Sequence, residues 1–86
     1  MARLVLKIEH SQSSSHAGTK PHLHMELSLD GFVVRNHNAR PESERQVRMH
    51  IARMESEAGE FASIVNETLV IEEYDYVPKY ERVRIR

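Results

Sequence analysis

The dipeptide Asp30-Gly31 stands between two apolar stretches, and this constrains the fold more than any other feature of the chain. Ahead of it runs PHLHMELSL. Leu23, Met25, Leu27 and Leu29 occupy alternate positions there, with His22, His24, Glu26 and Ser28 between them. Behind it runs FVVR. A period of two sends alternate side chains to opposite faces of a strand. Asp-Gly supplies the positive φ that a two-residue turn requires. The segment therefore reads as a hairpin, and a two-residue turn fixes its register. Leu29 is expected to oppose Phe32, and Leu27 to oppose Val34, on an apolar face. On the polar face Glu26 is expected opposite Arg35, and His24 opposite His37.

Other elements follow from the same periodicities. Leu4, Leu6 and Ile8 alternate with polar neighbours and predict a first strand. The polar HSQSSSHAGTK behind it predicts a flexible loop over residues 10–20. NARPESE has the features of a helix start, with Pro41 in the first turn and Glu42 and Glu44 at the positive end of the dipole. Val47, Ile51, Met54 and Ala58 recur at helical spacing, and Gly59 is the expected C-terminal cap. His50 borders this stripe and reads as a boundary residue. A strand is expected from Thr68 to Tyr74. In the closing YERVRIR, Val83 and Ile85 alternate with Arg82, Arg84 and Arg86. The element order is β-β-β-α-β-β. The expectation is a single α+β domain over residues 1–86, with about five mostly antiparallel strands and one helix packed on one face.

Composition limits what such a domain can do. A chain of 86 residues builds one modest core and no deep enclosed cavity. Twelve basic and 13 acidic residues give a net charge of −1, so no global field favours nucleic acid or an anionic membrane. Cysteine is absent, which removes disulfides, thiolate metal sites and cysteine nucleophiles. MARLVLKIEH is too short an apolar run for a signal peptide, and no run is long enough to cross a bilayer. The expected location is the cytoplasm, without membrane association.

The sequence offers no catalytic set. The serines sit mainly in SQSSS, there is no Gly-x-Ser-x-Gly, and the three glycines are too dispersed for a phosphate loop. Glu72, Glu73 and Asp75 alternate across a strand and do not form an obvious carboxylate pair. The chain is therefore expected not to be an enzyme.

Three binding surfaces remain. The first is a protein-docking surface made from Tyr74, Tyr76, Arg82, Arg84, Arg86 and the exposed Met49. Tyrosine and arginine are enriched at interfaces, and a free sheet edge could pair with a protein partner or form a homodimer. This makes an inhibitor, adaptor or small assembly component the leading expectation. The second is a metal site. His22, His24 and His37 would share the polar hairpin face and could bind Zn²⁺ or Ni²⁺; otherwise the protein needs no cofactor. The third is nucleic-acid binding through phosphate contacts from the arginine stripe.

Overall fold

The structure is a computed structural model describing residues 3–15, 18–77 and 81–86; the side chains of residues 12–15, 18–20, 76–77 and 81–82 lie outside that description. Six elements follow one another: β1 (Leu4–Ser15), β2 (Gly18–Leu29), β3 (Phe32–Ala39), α1 (Glu44–Val65), β4 (Leu69–Val77) and β5 (Glu81–Arg84). The strands form one five-stranded sheet in the order β3-β2-β1-β4-β5. Every pairing is antiparallel except β1 with β4, which is parallel. The helix covers one face. This is the expected α+β architecture, as a mixed sheet.

The core comes from the alternation. Leu4, Leu6 and Ile8 of β1 lie beside Leu29, Leu27 and Met25 of β2, and Leu4 and Leu6 lie beside Leu69 and Ile71 of β4 on their other side. Met54, Ala58 and Ala62 descend from the helix onto this surface. Leu4, Leu6, Ile8 and Leu23 are fully buried. The opposite sheet face carries Lys7, Glu9, His24, Glu26, Glu72 and Tyr74, and no element covers it among the described residues.

Three local expectations change. The loop expected over residues 10–20 is largely hairpin: β1 and β2 pair in register from Leu4↔Leu29 to Ser15↔Gly18. Its polarity argued for a loop, but the ladder is made by the backbone and extends past the apolar residues. The helix also starts later and ends later. Ser43 is the N-cap and accepts from the Gln46 amide, while the Gln46 side chain accepts from the Glu42 amide. Gly59 does not end the helix, which continues to Val65. Phe61, Ala62 and Val65 extend the buried stripe, and their packing offsets the roughly 1 kcal/mol that a mid-helix glycine costs. The cap is Asn66 in the left-handed region at φ 57°, where Asn66 N–H donates to Ser63 O and Glu67 N–H to Ala62 O.

The Asp30-Gly31 turn forms as expected, with φ of 52° and 86° and Leu29 opposite Phe32. It is tied to the N-terminal segment. Asp30 Oδ1 accepts from the Arg3 amide at 2.7 Å, and the Asp30 amide donates to Arg3 O at 2.9 Å.

The register beyond the turn departs from simple alternation. Leu27 opposes Arg35 while Ser28 opposes Val33, so Val34 is an extra residue in a bulge. From there each β3 side chain sits on the face opposite to the one alternation assigns. A second bulge closes the chain. Glu73 O accepts from both Ile85 N and Arg86 N, and Glu73 N donates to Arg86 O, so Ile85 and Arg86 together oppose Glu73. The two bulges carry Arg35 and Arg86 to the helix side of the sheet, from opposite edges. Each meets a helix glutamate: Arg35 bridges Glu57 at 3.3 Å, and Arg86 bridges Glu55.

Candidate groove between the edge strand and the helix

The bulges rearrange the residues expected to form sites. His22 and His24 stay on the uncovered face, beside Ser11 and Glu9 of β1. His37 opposes Met25 on the helix face and does not oppose His24, whose neighbour is Asn38. The ligand set His22, His24 and His37 is thus divided between two faces. Among the described residues, no group of three or more histidines or carboxylates is placed to hold a metal ion.

The arginine stripe divides too. Arg84 lies opposite Tyr74 on the uncovered face, with its Nε donating to Arg86 O at 3.1 Å. Tyr74 donates its hydroxyl to Glu72 at 2.8 Å. Tyr76 and Arg82 oppose each other in the ladder, and their side chains lie outside the described residues. Arg86, by contrast, lies against the helix. It contacts Glu73 at 2.9 Å and Glu55, and Glu73 also pairs with His10 Nε2 at 2.6 Å. Partial burial alone would lower the pKa of the Arg86 guanidinium; hydrogen bonds and charge from Glu55, then from Glu73, more than offset this and raise it. Arg86 therefore acts as a clamp between sheet and helix.

The two sheet edges differ. β5 is four residues long, which discourages further pairing. β3 is eight residues long, has no proline or lysine, and is exposed from Phe32 to Asn38. The two-residue turn makes Leu29 and Phe32 a hydrogen-bonded pair. Pairs then alternate, and the bulge absorbs Val34. On this count the N–H and C=O groups of Val33, Asn36 and Asn38 point away from β2, toward the open edge.

A groove runs along this edge between β3 and α1. One compartment, of about 350 Å³, is mainly apolar and is lined by Leu27, Val34, Ala58, Phe61 and Ile64 together with Glu60. The next, of about 310 Å³, is polar and is lined by His37, His50 and Arg53 above Met25. Arg35, Glu57 and Met54 border both, so the Arg35–Glu57 bridge forms the wall between them. The His37 and His50 rings lie 5.6 Å apart at a tilt of 32°. Met49 lies just outside, in a depression shared with Gln46, His50 and Arg53.

Two signals for this groove were present in the sequence. His50, Arg53, Glu57, Phe61 and Ile64 recur at spacings of three, four, four and three, which marks one flank of the helix. The exposed Val33-Val34 pair breaks the alternation just where the bulge falls. Comparisons with protein-family models, curated proteins and solved structures find no match to this chain. None of the described helices is long and apolar enough to cross a membrane.

Proposed function

We propose that this chain is a non-enzymatic protein-docking module that takes up an extended partner segment alongside β3. One observation carries this reading: an exposed eight-residue edge strand without proline or lysine, backed by a groove, on a sheet whose other edge is only four residues long. Strand addition obtains affinity from the partner's main chain and selectivity from its alternate side chains. The outward backbone groups of Val33, Asn36 and Asn38 supply the first, and the two compartments supply the second. An inhibitor or an adaptor would use such a surface in the same way.

The test uses proline. Asn36→Pro removes an N–H that points toward a partner and costs no bond to β2. Partners captured by the immobilised chain and identified by mass spectrometry should be lost with Asn36→Pro and kept with Arg84→Ala on the uncovered face. Circular dichroism serves as the control for folding. Retention by Asn36→Pro together with loss by Arg84→Ala would move docking to the uncovered face and refute the proposal.

A further inference from the structure

We infer that the segment taken up along β3 is acidic in one half: an extended strand with one bulky apolar side chain and a carboxylate four residues along from it. This rests on the strand-addition reading above and specifies the partner's chemistry.

The charge of the polar compartment supports it. Arg35 and Glu57 neutralise each other at 3.3 Å. Arg53 is exposed and makes no ion pair with a described residue. His37 and His50 contact each other and have no hydrogen-bond partner among the described residues. One uncompensated guanidinium and two imidazoles therefore face the space that a partner strand would line. Ligand carboxylates would turn these groups into charge-assisted hydrogen bonds, which are roughly twice as strong as neutral ones. The apolar compartment asks for the opposite. Ile64 is 81% exposed, and the exposed Val34 and half-buried Phe61 stand beside it.

Spacing links the two ends. From His50 to Phe61 the helix advances about 16 Å at about 1.5 Å per residue. A strand covers that distance in four to five residues at about 3.4 Å each. An apolar residue beside Phe61 thus places its second neighbour, about 7 Å along, at the Arg35–Glu57 bridge, and its fourth, about 14 Å along, near Arg53, His37 and His50. The same charges argue against a second copy of this chain as the occupant. Antiparallel self-pairing centred on Arg35 would set its guanidinium against its own copy, and like charges in direct opposition destabilise a sheet.

The experiment titrates the ¹⁵N-labelled full chain with seven-residue peptides. Two carry leucine and glutamate as Leu-x-x-x-Glu and as Glu-x-x-x-Leu, which covers both strand directions. Glutamine, lysine and serine counterparts replace the glutamate or the leucine, and oligothymidylate tests phosphate. One glutamate peptide should shift the amides of Val33, Asn36 and Asn38 and bind at least about tenfold tighter than its glutamine and lysine counterparts. Arg53→Ala should remove most of that preference. Equal binding of all peptides at β3 would overturn the acidic specificity and leave strand addition standing. Absence of β3 shifts with every peptide would overturn both. Tighter binding of oligothymidylate in the same groove would overturn the peptide assignment.

Discussion

Replacing Arg86 by alanine separates a structural arginine from a contact arginine. Its guanidinium is 43% exposed and sits between Glu55 and Glu73; the Glu73 side chain is only 14% exposed. A fully exposed ion pair contributes about 0.2–1 kcal/mol. A charge left without its partner in a part-buried position costs more, about 1–3 kcal/mol. Glu73 keeps His10 at 2.6 Å, so the lower part of that range applies. The backbone bonds of residue 86 to Glu73 survive the substitution. The expected loss is about 1–2 kcal/mol. For a domain of this size that lowers the midpoint by about 4–8 °C per kcal/mol. Thermal and urea unfolding followed by circular dichroism would measure it, with Arg84→Ala as the reference. Arg84 has no carboxylate partner among the described residues, so its removal should change stability by less than about 0.5 kcal/mol. Equal effects at the two positions would refute the clamp and restore Arg86 to a surface stripe. The pH dependence has a definite sign. The folded-state pKa of Arg86 is raised, so its contribution is complete below the unfolded value and is lost only as pH climbs through the folded one. The destabilisation caused by Arg86→Ala should not fade on moving from neutral to mildly alkaline solution.

Further expectations follow from other positions. Met54→Ala opens a cavity beneath the centre of the helix and should cost about 2–5 kcal/mol in urea unfolding. Asn66→Ala places a Cβ-bearing residue without a local polar side chain at φ 57° and should cost about 1 kcal/mol, whereas Asn66→Gly should be neutral or stabilising in the same assay. Asp30→Ala loses both tolerance of a positive φ and the acceptor for the Arg3 amide; amide exchange at Arg3 should accelerate, and an unchanged rate would count against that tie. Deleting Val34 removes the bulge while leaving Leu27 opposite Arg35, so the His37–His50 contact should persist as a cross-peak between the two rings.

What the sequence revealed, and what it hid, follows a physical division. Asp30-Gly31 and the flanking leucines act within a few residues, and local φ and a period of two are enough to read them. The strand order, with β1 between β2 and β4, depends on a parallel pairing made across the whole chain, and no local pattern records it. The candidate site was misread for a narrower reason. Alternation assigns faces by counting, and one extra residue inverts every assignment that follows. Val34 moved Arg35 and His37 to the helix side, and the doubled Ile85-Arg86 did the same for Arg86. The metal set and the arginine stripe were both drawn across such a position. His50 was read as a boundary residue of the helix stripe, because nothing on the helix itself records its contact with His37. Gly59 was read as a stop because propensity is local, whereas the contacts of Phe61, Ala62 and Val65 that override it are tertiary.

The unequal edges also bear on how large an assembly can become. A sheet with two receptive edges can add copies head to tail without limit, the route to open filaments. Here the outer edge is four residues of β5 on one side and eight of β3 on the other. A strand that settles on β3 brings no second receptive edge from this molecule with it. Under the proposed strand addition, this molecule would contribute one receptive edge, so its copies would not propagate a sheet head to tail.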